Sequence, residues 1–360
     1  MKNFVMMAAA LVLGFTLQIN DAEAKRIGGG GSTGMQRQSV APSNTQQAAP
    51  RQATQPAAAG QAAQPKRSWM GPLAGLAAGD HDEAVRARIA FLRASNMLWA
   101  LGDPERAKEI IDEASNVTSD QARGYIDAFL TVYWFALDQP ATALQAAQDL
   151  TLEELPPVVG AEVAWVLTTL AADAGHTARA ESVAEVGYAL AQASFDAPHM
   201  RFNIADSHVS ALLLAGRIAD ALKVADRTRE QAAELPGAAH LLGAAVAGRA
   251  VLGAGRLDSA MSLFDDAVTG LTVSHPSGWG YRYLVPRATV LAMRGDSTGA
   301  AATLITLEER KRAFRSLDYE RAIARAWAAA GQGAVSEAIA EVLSAAQNAS
   351  AKGQFAAEVL

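Results

Sequence analysis

Ala254-Gly255-Arg256-Leu257 is one copy of a turn that occurs seven times along the chain, and its recurrence decides the fold. The other copies read Leu101-Gly102-Asp103-Pro104, Leu137-Asp138-Gln139-Pro140, Ala174-Gly175-His176-Thr177, Ala215-Gly216-Arg217-Ile218, Arg294-Gly295-Asp296-Ser297 and Gln332-Gly333-Ala334-Val335. Counted from the glycine (Asp138 in the second copy), the steps run from 36 to 41 residues. Five places on stands an alanine each time: Ala107, Ala143, Ala180, Ala221, Ala260, Ala300 and Ala338. Nine places on the residue is always apolar, from Ile111 through Phe264 to Val342, and seven places before it is nearly always small, from Ser95 through Gly248 to Ala326.

These columns describe close helix packing. Glycine supplies the left-handed residue that ends one helix, and the Asp, Pro or Ser that often follows starts the next. Small residues let the two axes approach, and the apolar residue one turn on fills the gap between layers. A period near 40 residues, with no single repeat able to bury its own face, is the signature of an α-solenoid. The pattern resembles the tetratricopeptide repeat with steps a few residues longer than its usual length. The expected helix pairs are 82–101 with 104–116, 120–136 with 140–150, 158–174 with 178–193 and 200–215 with 218–234. They continue as 238–254 with 257–271, 279–294 with 297–313 and 318–331 with 334–350. Residues Gly353–Leu360 open what reads as a further first helix and stop within it, which implies either that the natural chain continues or that the last repeat lacks a cap and exposes an apolar face.

Three segments are expected. Residues 1–24 read as an export signal, with Lys2, the apolar run Phe4–Leu17 and the A-x-A site Ala22-Glu23-Ala24. The run is too short to span a membrane comfortably. Residues 25–79 are rich in Gln, Ala, Pro and Gly, carry six positive charges and no acid, and read as a disordered tail. Within it Gly30-Gly31-Ser32-Thr33-Gly34 matches the nucleophile pattern G-x-S-x-G, but without the strand and helix that pattern needs. Residues 80–360 are the repeat domain, all-α and tetratricopeptide-like.

The chemistry-bearing residues exclude more than they offer. With no cysteine, thiolate metal sites, disulfides and cysteine nucleophiles are ruled out. The six histidines are scattered without metal-ligand spacing, and Asp265-Asp266 reads as surface. No cofactor and no catalytic activity are expected. The chain carries a formal charge of −6, and with a basic tail the repeat array is more acidic still. That disfavours phosphate binding, so direct nucleic-acid recognition is not expected. Trp99, Tyr125, Trp134, Phe135, Trp165 and Trp327 sit mostly on first helices, where they are read as core. Trp279-Gly280-Tyr281-Arg282-Tyr283 interleaves aromatic, glycine and arginine at a helix start, which suits a binding edge or a packed cap.

In tetratricopeptide-like stacks the first helices line the concave groove. Among the positions 13, 10, 6 and 3 places before the later turns stand Asn203, Asp206, Ser210, Arg249, Arg282, Thr289, Glu320 and Trp327. These are polar or amphipathic residues in helices otherwise rich in Ala and Leu. They predict a groove for a protein or peptide segment, or a small effector, with Arg249 and Arg282 as its contacts to anionic groups.

Two resemblances bear on role. Arg86 to Ser95, Leu235-Pro236-Gly237-Ala238-Ala239, Gly278 to Tyr283, Leu317-Asp318-Tyr319-Glu320 and Gly353 to Glu358 resemble the helical-repeat region of large LuxR-type, MalT-like transcriptional regulators, over about four fifths of the chain. The resemblance implies a sensing or coupling region. The phosphate loop of that family's ATPase and its terminal helix-turn-helix are not in this sequence. Ala22 to Gly30 and Lys66 to Gly79 resemble the N-termini of exported bacterial proteins that carry a domain like the mitochondrial import-motor subunit. The first resemblance implies the cytoplasm and the second export, and a reading frame fused near Gly79-Asp80 would reconcile them. The runner-up to a regulator module is an exported scaffold for protein–protein contacts in the periplasm.

Overall fold

The computed structural model describes residues 83–360 apart from Thr118, 195–197, Pro236, 275–277, 311–313 and Leu317. The expected signal segment, the basic tail, its G-x-S-x-G match, His81 and His275 lie outside the described residues. The described chain is a run of paired α-helices. These are α1 Glu83–Asn96, α2 Pro104–Ala114, α3 Asp120–Ala136, α4 Pro140–Ala146, α5 Pro157–Asp173, α6 Thr177–Gln192, α7 Met200–Leu214 and α8 Ile218–Ala233. After them come α9 Ala239–Gly253, α10 Leu257–Ser274, α11 Trp279–Met293, α12 Ser297–Glu308, α13 Asp318–Gly331, α14 Val335–Ala351 and the short α15 Phe355–Glu358. No described helix is long and apolar enough to cross a membrane.

The repeat turn has the conformation its sequence demands. Gly102, Gly175, Gly216, Gly255, Gly295 and Gly333 all have left-handed φ values between 65° and 87°. Asp138, which replaces the glycine in the second copy, adopts the same region at φ 60°, as a short polar side chain can. Each turn closes by two backbone bonds onto the preceding helix, as in Gly255 N–H to Leu252 O at 2.8 Å and Arg256 N–H to Val251 O at 3.1 Å. Asp103 and Asp296 then cap the next helix through their carboxylates. All seven alanines of the column five places on are buried. Gly248, from the small column, faces Phe264 so closely that a Cβ would lie 2.9 Å from its ring.

Every first helix packs on its own second helix and on neighbouring first helices, so α1, α3, α5, α7, α9, α11 and α13 form one continuous layer. Several are apolar on all sides: α9, AHLLGAAVAGRAVLG, has a single charge, Arg249. Such a helix is buried from both flanks, and small residues set its spacing. Gly243 would place a Cβ 2.6 Å from that of Ala232.

Three local features depart from the expected boundaries. The first helix widens into a π-helical turn over Met97–Leu101, carrying Trp99 at its centre. The fourth ends at Ala146 rather than near 150. Helix α12 ends at Glu308, not 313, and Phe314 beyond it is drawn into the core of the first repeats, so tertiary burial overrides the helical pattern there. The residues after Gly353, expected as an open-ended helix, form one turn, α15, which packs against α5 with Ala356 beside Gly175. The outer side of α14 nevertheless leaves Val335, Ile339 and Leu343 exposed.

Candidate functional site

The array closes on itself: residues in and beside the seventh repeat reach the C-terminal ends of the first helices of the second and third. The backbone N–H of Arg315 donates to Ala136 O at 2.6 Å. The Tyr319 hydroxyl donates to Asp173 at 3.0 Å, and Gln354 reaches both Asp138 and Asp173 at 3.4 Å. Lys352 pairs with Asp138. A one-dimensional stack thereby acquires long-range ties.

At the centre of the enclosed face lies Asp206 of α7, fully buried. Arg249 of α9 donates through Nε to its Oδ1 at 2.9 Å, and Arg282 of α11 through Nε to its Oδ2 at 2.7 Å, with a further bond from Nη2. Arg249 also grips Glu320 of α13 with both terminal nitrogens, at 3.0 and 3.3 Å. Two carboxylates thus face two guanidiniums, drawn from four successive first helices. Burial alone would push Asp206 up, but the two arginines hold its carboxyl below the usual carboxylate range. Asn203 joins the same face, accepting from Trp279 Nε1 at 2.7 Å. Pro286 in α11 brings no N–H to the carbonyl of Arg282 four residues back, so that one helical hydrogen bond is missing here.

Of the eight residues expected in a groove, the structure joins four, Asp206, Arg249, Arg282 and Glu320, in this network and sets Asn203 beside it. Ser210 and Thr289 instead bond back to their own helices, at Asp206 O and Val285 O, and Trp327 stands 46% exposed. The two arginines meet carboxylates of the chain itself.

Beside the network sits an aromatic cup. Phe314, 4% exposed, lies 5.6 Å from Trp99, 5.4 Å from Phe135 and 6.2 Å from Trp165 between ring centroids. The Arg282 guanidinium carbon lies 5.8 Å from the Phe314 centroid, linking cup to network. Trp99 Nε1 donates to Glu162 at 3.3 Å, whose carboxyl burial pushes up to about 7. Burial likewise pushes Asp173 up to about 7, offset in part by the Tyr319 hydroxyl.

Sequence reasoning counted positions only in the later repeats. The positions reached by the same count from the first three turns include Glu162, Trp165, Phe135 and Trp99, so a signal for the cup was present. Nothing in the periodicity pointed to Phe314, which belongs to no helix.

Elsewhere, no group of His, Asp and Glu that could hold a metal ion occurs among the described residues. His208 contacts the Tyr188 hydroxyl at 3.3 Å, and burial lowers its pKa, which keeps it neutral. It lines an open pocket of about 380 Å³ between α6 and α8 with Glu181, Arg217, Asp220, Lys223 and Arg227.

No protein-family model matches the chain, and no curated protein matches it. Among solved structures, a Rap protein complexed with competence and sporulation factor superposes with a TM-score of 0.55 at 11% identity, over 80% of this chain and 87% of that one. The chain shares that helical-repeat fold. The apo form of RapI superposes with a TM-score of 0.46 at 11% identity, over 80% and 89% of the two chains. The first of these likenesses bears on the repeat fold and not on the LuxR-type or import-motor resemblance.

Proposed function

We propose that the repeat array is a non-catalytic binding module that receives a peptide segment on the inner faces of its first helices. The observation that carries this reading is the buried set Asp206, Arg249, Arg282 and Glu320. A solenoid held only by its core has no need of four ionisable groups on consecutive first helices, since well-packed apolar residues of similar volume often stabilise as well. Such groups suit a face that must discriminate partners, because their geometry sets what can be accommodated. The fold is shared with a Rap protein whose structure holds competence and sporulation factor, which favours a peptide over a nucleic acid or a membrane as partner. The array's acidity points the same way.

Within that reading, the module is the sensing or coupling region of a LuxR-type regulator, the role the repeat resemblance implies. The second reading, an exported scaffold, is favoured by the leader Lys2 to Ala24. Both are binding modules and differ in compartment.

The test is capture of a displayed random-peptide pool by the full chain and by an Asp206→Asn, Arg282→Gln double variant. This variant removes both charges of one pair, so no single buried charge is left unpartnered. Captured peptides are expected to be lost from the variant while its helicity persists. Capture that survives the change moves the site off this face.

A further inference from the structure

We propose that the recess walled by Trp99, Phe135 and Trp165 is the groove's specificity pocket for an aromatic side chain of the bound peptide, a place Phe314 holds in the free chain. The proposal rests on the groove reading above and deepens it by naming the ligand chemistry.

Four observations converge. First, Phe314 lies outside the helices, in the connection between α12 and α13, yet it is packed into the core of the first repeats as if it were a guest there. Second, the recess is assembled from three separate repeats: Trp99 from the π-helical turn, Phe135 from α3 and Trp165 from α5. Its rings meet edge-on or tilted, with Trp165 5.4 Å from Phe135 and 5.8 Å from Trp99. That geometry favours a flat aromatic occupant over a branched aliphatic one.

Third, two of the side chains packed on Phe314 carry buried N–H groups with no acceptor, Trp165 Nε1 and Arg282 Nη1. The Ser316 hydroxyl two residues on is also buried and unpartnered. Buried polar groups in native structures are nearly always satisfied, and the face of a phenylalanine ring is a much weaker partner than an oxygen acceptor. A peptide laid through the recess would bring main-chain oxygens beside its aromatic ring, which are the acceptors these donors lack. Fourth, Arg282 touches both the Phe314 ring and Asp206, so the occupant of the cup and the charged network share one side chain.

The ligand class is therefore a peptide presenting an aromatic residue with a free main-chain oxygen, and Phe314 competes with it. The experiment titrates N-acetyl-phenylalaninamide and N-acetyl-alaninamide into the full chain and into Phe314→Ala, read by calorimetry. Phe314→Ala is expected to bind the phenylalanine derivative at least tenfold more tightly than the parent does and to ignore the alanine one. Adding Trp165→Ala to that variant is expected to remove the binding. If Phe314→Ala and the parent respond alike to the phenylalanine derivative while both keep their helicity, the proposal is overturned. Should Phe314→Ala lose helicity, its recovery with the phenylalanine derivative and not with the alanine one supports the assignment, and no recovery overturns it. A parent that captures peptides while Phe314→Ala ignores the derivative would sink this pocket and leave the groove reading standing. Binding of the derivative with no peptide captured by either form would do the reverse.

Discussion

The Tyr319 hydroxyl donates to the Asp173 carboxylate at 3.0 Å, and this bond ties the first helix of the seventh repeat to the end of the third repeat's. Asp173 is almost wholly buried, with Glu320 and Asp138 as acidic neighbours and Arg282 as the cation that opposes them; Lys352 is spent on Asp138. The closure of the array therefore contains a carboxyl group that resists ionisation.

A pH dependence follows. The folded-state values of Asp173 and Glu162 are pushed up to about 7, so across the interval from about 4 to 7 the folded chain binds more protons than the unfolded one. Stability should fall as pH rises through that interval and level off above it. Asp173→Asn keeps an acceptor for Tyr319 and should flatten the slope, raising the melting temperature at pH 8 relative to the parent. Thermal unfolding of both forms from pH 5 to 8 checks this, and parallel curves would contradict it.

Asp206 has the opposite sign. Its pKa is held low by Arg249 and Arg282, so its contribution is present above about pH 4 and is lost on acidification below that. Asp206→Ala leaves both arginines buried without their shared carboxylate and should cost roughly 3–5 kcal/mol. The Asp206→Asn, Arg282→Gln double change should cost less than Asp206→Ala alone. Urea unfolding at pH 7 compares them, and equal losses would mean the network is not coupled.

The columns of small residues set the helix spacing. Ala260 and Ala300 are both fully buried, and Ala260→Leu or Ala300→Leu should overpack a helix pair at a cost of about 1–3 kcal/mol. Gly160→Ala should be harder still to absorb, because its Cβ would lie 2.6 Å from the carbonyl oxygen of Leu152, which is backbone. Unchanged melting of Ala260→Leu and Ala300→Leu would mean the repeat register is misassigned.

How much of this was legible in the sequence depends on its range. The turns were legible because Gly255, Asp138 and their counterparts impose a local backbone conformation that only a few residue types adopt. Asp206, Arg249, Arg282 and Glu320 stood out because a charge in an Ala- and Leu-rich helix needs a reason. That they pair with one another was not legible, since pairing depends on how the superhelix brings α7, α9, α11 and α13 together. The place of Phe314 was not legible, because its seat among Trp99, Phe135 and Trp165 lies some 150 or more residues away in sequence and leaves no periodic trace.

The two compartments separate by mass. Made in a Gram-negative host, the exported reading requires a chain beginning at Lys25 in the periplasmic fraction. An intact chain retaining Met1 in the cytosol would remove the scaffold reading and favour the regulator module.

The face of the array that binds can be located directly. Trp327 shares its position in the repeat with Arg249, six places before the turn, and is 46% exposed, whereas Val273 on α10 is a second-helix residue at 76% exposure. A benzophenone side chain placed at each in turn, in the full chain, can be irradiated with peptides captured from the pool. Cross-linking from position 327 and not from 273 is the result this account predicts; cross-linking from 273 and not from 327 would contradict it.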